Sequence, residues 1–257
     1  MYHRPRLIPC LLLSNGNLVK TTRFKEPNYL GDPINAVKIF SEKCVDELCI
    51  QDIEASKNGR RPDFDLLTDI ASEAFMPLSY GGGVTTLEQV KRLFHIGFEK
   101  VILNTSLVER PQLVTEIAEH FGVQSVVCSI DAKQDLLKRY RCAVADGSKV
   151  VGETPQALAL RAQKLGAGEI LLNSIDRDGT MQGYDLKLIQ SVASVLSVPL
   201  IACGGARNAR DMANALHEGG AHAAAAGSMF VYFGSLKAVL INTPEESELY
   251  ETGIYQR

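Results

Sequence analysis

At 257 residues, 46% hydrophobic and 22% charged, the chain can bury a sizeable core and fits neither a disordered nor a fibrous composition. A formal net charge of −3 supplies no basic stripe for a nucleic-acid backbone. The N-terminal apolar run in MYHRPRLIPCLLL meets Ser14, Asn15 and Gly16 too soon to span a membrane and reads as a buried first strand.

From there, short apolar runs alternate with helix-length amphipathic segments. Strands are expected at residues 7–13, 47–53, 77–80, 100–103, 125–130, 169–173, 199–202 and 223–226. Helix starts are marked by Asp32-Pro33, by a capping box from Thr85 to Glu88, and by Thr154-Pro155. The only long connection read from the sequence runs from Gln134 to Val151, where Tyr140 to Val144 before Asp146-Gly147 suggests a small hairpin. Residues 242–257 look polar and partly exposed.

Near-continuous apolar strands separated by helices imply parallel pairing with both faces covered, and eight such units suit an α/β fold of the (β/α)8 TIM-barrel type. An internal repeat supports a closed barrel over an open sheet. The stretch from Pro77 to Ser106 (PLSYGGGV…NTS) recurs at an offset of 122 residues, from Pro199 to Ser228 (PLIACGGA…AGS). One barrel domain over residues 1–257 is expected, with half-barrels of about 1–122 and 123–245 and a polar tail. Each copy reads strand, glycine turn, helix, strand, polar turn, which can aim backbone N–H groups at a phosphate; the same glycines would also serve tight turns alone.

The six cysteines form no CxxC pair and no Cys/His cluster at zinc spacing, and most lie in apolar runs. Reduced, buried thiols and a cytoplasmic setting are expected, with no metal and, lacking a dinucleotide fingerprint, no organic cofactor. His95, His120, His217 and His222 fall in or beside helical segments, where packing or surface roles are expected. In such a barrel, ligand-facing residues sit at the C-terminal strand ends. These are Asp52, Gly81 to Gly83, Asn104, Thr105, Asp131, Lys133, Asp176, Asp178, Gly179, Gly204, Gly205, Gly227 and Ser228.

RLIPCL, LVK, GDP, VDEL, YGGGV, NTSLVE, SIDAK, GAGEILLNSIDRDGT, GYD and CGGA occur in this order over nearly the whole chain. They resemble the cyclase subunit of imidazole glycerol phosphate synthase, whose substrate is a bisphosphorylated ribulosyl carboxamide. The sister isomerase shares the half-barrel repeat, but IPCL and GAGEILL point to the cyclase side. The resemblance implies one phosphate against Gly83, Asn104 and Thr105, and another against Gly179, Gly205, Gly227, Ser228 and the backbone beside Asp178. It implies acid–base work by Asp131, with Lys20 as a basic residue on the first loop. The family's other aspartate follows Pro-Cys-Leu on strand 1. Here the run is Pro9-Cys10-Leu11-Leu12, so Leu12 stands at that position, followed by Leu13 and Ser14.

The resemblance further implies a ring of Arg6, Glu47, Lys100 and Glu169 on the N-terminal face, admitting ammonia from a docked glutaminase subunit. An intact ring beside a halved acid pair gives two expectations. One is an ammonia conduit serving a separate sugar amidotransferase of surface-polysaccharide synthesis. The other is an active cyclase of histidine biosynthesis.

Overall fold

A strand that is apolar on both faces needs a parallel neighbour on each side, and a row of them removes its own edges by closing. The computed structural model describes residues 4–234 and 236–256. Its barrel strands are β1 (Arg6–Ser14), β2 (Leu48–Asp52), β3 (Leu78–Gly81), β4 (Lys100–Leu103), β5 (Val126–Gln134), β6 (Glu169–Ser174), β7 (Leu200–Cys203) and β8 (Ala223–Ala226). Each pairs in parallel with the next, and β8 closes on β1 with Ala223 opposite Arg6. This is the (β/α)8 barrel expected from the strand pattern.

Alternation along the strands divides the core into two shells. Ile8, Cys10, Cys49, Ile102, Val127, Leu171, Ile201 and Cys203 pack inside the barrel. Their neighbours Leu7, Leu11, Leu48, Ile50, Val101, Leu103 and Leu172 pack outward against the helices. Those helices are α1 (Pro33–Glu42), α2 (Phe64–Ser72), α3 (Leu87–Ile96), α4 (Gln112–Phe121), α5 (Pro155–Leu165), α6 (Leu186–Ala193) and α7 (Ala209–His217). Asp32 and Thr154 cap α1 and α5 as expected, with Pro in the first turn. The capping box of α3 lies one residue later than expected. Thr86 is the cap, and the Gln89 side chain accepts from the N–H groups of both Thr85 and Thr86, at 2.7 and 3.1 Å. Glu88 is left to a surface contact with Lys91.

Two hairpins rise over the C-terminal ends of the strands. The expected one follows β5: Tyr140–Val144 runs back antiparallel, with Ala143 opposite Asp131, and Lys149–Val150 adds a third short strand. The other was not legible. β1 turns at Asn15-Gly16 into Asn17–Thr22 and then Lys25–Gly31, so the connection from Gln134 to Val151 is not the only long one. Its outer strand is too polar to announce itself by alternation.

The C-terminal segment is partly exposed, as expected, and is anchored by a few apolar side chains. After a small hairpin (Tyr232–Phe233 with Ala238–Val239), residues Glu246–Glu251 form α8, and Leu249, Ile254 and Tyr255 are buried. Arg4 lies 4.0 Å over the Tyr255 ring, which ties the tail to the start of β1. Three apolar anchors spaced among glutamates outweigh the segment's polar composition. Five cysteines are buried and Cys44 is exposed; all are free. Among the described residues no helix is long and apolar enough to cross a membrane.

Candidate functional site

The barrel mouth is a cavity whose wall includes Leu12, Lys20, Asp131, Asp146, Asp178 and Gly227. The inward alternation of β5 that points Val127 into the barrel brings Ser129 and then Asp131 to its top. Asp131 is only 8% exposed, and its nearest donor is the Ser129 hydroxyl at 3.5 Å. Burial pushes its pKa up to about 7, and the nearby acids Asp146 and Asp178 add to the rise. A carboxyl in that range can both give and take a proton near neutrality. On β1 the same alternation brings Ile8, Cys10 and Leu12 inward, so the first strand contributes an apolar group with no proton to exchange.

Lys20 is not a free cation. Its ammonium donates to both carboxylate oxygens of Asp178, at 3.0 and 3.2 Å, and to the Thr21 carbonyl at 2.9 Å. The Thr21 hydroxyl also donates to Asp178, and Arg23 N–H donates to the Asp178 carbonyl. This buried pair bolts the hairpin after β1 to the loop after β6. Asp52 caps its own loop, accepting from the N–H groups of Glu54 and Ala55. Asp176 accepts from Gln134 N–H and locks the β6 loop to β5.

The two repeats deliver their turns to this end. Asn104 and Gly227 occupy equivalent places, each preceding a short helix, Thr105–Glu109 and Ser228–Val231. Their backbones match, at φ −114°, ψ −74° and φ −103°, ψ −68°, and neither helix has a side-chain cap. Gly83, Asn104 and Thr105 line the cavity. The Asn104 amide donates to the Ser129 carbonyl, and the Thr105 hydroxyl accepts from Ala145 N–H, which leaves backbone groups to face the cavity. Of the second set, Asp178 and Gly227 line the cavity, whereas Gly179, Gly205 and Ser228 do not form its wall. Gly179 and Gly205 both have positive φ, and a Cβ would lie 2.3 Å from the Thr21 and Gly183 carbonyl oxygens respectively. The buried Ser228 hydroxyl has no hydrogen-bond partner among the described residues.

At the opposite end Arg6, Glu47, Lys100 and Glu169 form a closed ring of alternating charge. Arg6 pairs with Glu47 at 2.5 Å and bidentately with Glu169; Lys100 pairs with Glu47 at 2.8 Å and Glu169 at 3.0 Å. Burial disfavours the Arg6 charge, but Glu169 and Glu47 outweigh it and its pKa is raised. Above the ring lies a small apolar void bounded by Ile8, Cys49, Ser79, Val127, Leu171 and Ile201.

Sequence reasoning missed Ser129, Thr21 and Asp146 as parts of the mouth. Ser129 could have been found from its spacing of two from Asp131 on an inward-facing strand; Thr21 and Asp146 depend on hairpin geometry. Among the described residues no group of three or more His, Cys, Asp and Glu is placed to hold a metal ion.

Fold and mouth define the class: a (β/α)8 barrel built from two glycine-turn units, acidic at its mouth and closed at its floor by a charged ring. A family model described as histidine biosynthesis protein matches residues 6–237, and the chain belongs to this family, among its HisF-like barrels. A Leptospira interrogans protein provisionally named imidazole glycerol phosphate synthase subunit HisF is 46% identical over 246 residues, covering 95% of this chain and 97% of that one. One from Pseudomonas aeruginosa, provisionally named subunit hisF2, is 45% identical over 246 residues, covering 96% and 98%. The imidazole glycerol phosphate synthase subunit HisF of Streptomyces coelicolor is 42% identical over 238 residues, covering 93% and 94%.

Proposed function

We propose that the chain is one barrel domain that takes up ammonia at its floor from a glutaminase partner for C–N bond formation on a phosphorylated substrate. The observation that carries this reading is the closed ring of Arg6, Glu47, Lys100 and Glu169 over the small void inside the barrel. A floor stabilised only by packing has no need to hold four charges around the barrel axis. On the same N-terminal face, the loops that lead into β3 and β5 expose Phe75 and Val123. The two glycine-turn sets, Gly83 with Asn104 and Thr105, and Gly179 with Gly205, Gly227, Ser228 and the backbone beside Asp178, hold the substrate phosphates.

With Leu12 on β1, the physiological role we favour is an ammonia conduit and docking subunit, in the cytoplasm, for amidination of a surface-polysaccharide sugar by a separate amidotransferase. Provisional names numbered hisF2 and hisF3 among the relatives fit a second barrel kept beside the histidine enzyme. The test is glutaminase turnover with and without this chain. Stimulation that Glu47→Ala and Lys100→Ala abolish is expected; no effect of the chain would sink the reading.

A second reading, an active cyclase forming imidazole glycerol phosphate, is favoured by one observation: Asp131 is buried at the mouth with a pKa near neutrality. Turnover of the bisphosphorylated ribulosyl carboxamide with ammonium chloride tests it. A rate no better than that of Asp131→Asn rejects it.

A further inference from the structure

The turn of the hairpin after β5 is built at a conformational cost that its position in the mouth explains. Ala145, Asp146 and Gly147 have φ of +52°, +57° and +70°, three consecutive left-handed residues of which only the last is glycine. Left-handed backbone is costly for a residue with a Cβ, and such strain persists only where surrounding structure holds it. Here it is held from four sides. Ala145 N–H donates to the Thr105 hydroxyl beyond β4, and Lys133 of β5 donates to the Gly147 carbonyl at 2.9 Å. The Ser148 hydroxyl donates back to the Ala145 carbonyl at 2.6 Å. Gly147 is flanked by Phe24 of the first hairpin and Ile175 after β6, which leave a Cβ only 3.2 and 3.3 Å.

The clamped turn sets the Asp146 carboxylate into the cavity wall that also holds Asp131 and Leu12. Its side chain is 14% exposed. An aspartate that merely stabilised a left-handed turn would bond the turn's own backbone. No such bond exists for Asp146 among the described residues, and its nearest cation, Lys57, stands 3.8 Å away, beyond hydrogen-bonding distance. The remaining charges facing it are Glu54 from the loop after β2, Asp178 from the loop after β6 and Asp131 from β5. Lys20 is taken up by Asp178 and Lys133 by Gly147.

We propose that Asp146 is the second acid–base group of this mouth, working with Asp131 where β1 offers only Leu12. This rests on the second reading above, in which the mouth itself carries out C–N bond formation. In that reaction the ammonia nitrogen bonds to a carbonyl carbon of the phosphorylated substrate, and the C=O π pair moves to oxygen. The protonated carboxyl of the pair gives its proton to that oxygen, and the ionised one takes a proton from the new ammonium nitrogen. The pair thus ends with its proton exchanged and no net change. Burial holds both groups near neutrality, Asp146 up to about 6 and Asp131 up to about 7, so between these values an ionised and a protonated carboxyl stand in the same wall.

Asp146→Asn keeps a residue that tolerates the left-handed turn, so the fold is retained. With the bisphosphorylated ribulosyl carboxamide and ammonium chloride as probes, it should lower kcat by about 10²- to 10⁴-fold with little change in KM, and remove one limb of the pH–rate profile. Adding Leu12→Asp to that variant should recover the rate. A wild-type rate in Asp146→Asn overturns the proposal. So does an inactive wild type that Leu12→Asp alone activates; that result would leave ammonia delivery standing, since glutaminase stimulation reads it separately. Carbon-13 titration of Asp131 needs no substrate. Its midpoint should fall in Asp146→Asn, and an unmoved midpoint counts against the pairing.

Discussion

Replacing Asp131 by Asn should stabilise the folded protein, and the gain should depend on pH. Burial raises the Asp131 pKa from an ordinary 3.8 to about 7, so the folded chain keeps its proton where the unfolded chain has lost it. Below the unfolded value both states are protonated and the side chain contributes nothing to the pH dependence. Between the two values the folded state loses about 1.36 kcal/mol of relative stability per pH unit, and above about pH 7 the loss is constant. The full span of roughly three units gives a ceiling of about 4 kcal/mol, which the neutral amide of Asn escapes. Urea unfolding of both proteins at about pH 4, 5.5 and 8 measures this, with unchanged m-values licensing the comparison. The two curves should nearly coincide at the lowest pH and separate in favour of the variant as pH rises. A separation that is absent, or equal at all three pH values, would mean that Asp131 is not held protonated by burial.

Three further outcomes follow from the same contacts. Lys20→Met strands the Asp178 carboxylate, and thermal or urea unfolding should show a loss of about 3–5 kcal/mol, with loosening of the hairpin after β1 visible in amide exchange. Gly205→Ala must fit a Cβ 2.3 Å from the Gly183 carbonyl, at positive φ; a lowered melting temperature and weaker binding of inorganic phosphate, read by calorimetry, are expected. Leu249→Ala removes an apolar anchor of the C-terminal segment and should cost about 2–5 kcal/mol in urea melts, while limited proteolysis begins to cut within residues 242–256.

The barrel was legible because parallel strands covered on both faces write long apolar runs, and the repeat from Pro77 to Pro199 divided them into halves. The strand-end residues followed, since alternation along β5 and β1 fixes Asp131 and Leu12 on the inner face. What lay outside the reach of pattern depended on tertiary reach. The strand Lys25–Gly31 is largely exposed and carries no apolar period. That the Thr105 hydroxyl accepts from Ala145 N–H depends on where the hairpin after β5 lands. Lys20 was expected as a basic residue of the mouth, and whether it is free or paired with Asp178 is decided by a hydrogen bond between residues 158 positions apart. The tail is partly exposed as its composition suggests, but composition averages over Leu249, Ile254 and Tyr255, whose burial anchors it.

The most direct test of ammonia transfer through the floor ring follows the nitrogen itself. A complex of this chain with its glutaminase partner is supplied with the bisphosphorylated ribulosyl carboxamide as acceptor and with glutamine labelled at the amide with nitrogen-15, in excess unlabelled ammonium chloride, and the C–N product is weighed by mass spectrometry. Passage through the barrel predicts labelled product from the wild type and unlabelled product once Glu47→Ala and Lys100→Ala open the ring to bulk solution. Product as fully diluted in the wild type as in the variant would contradict a sealed route from floor to mouth.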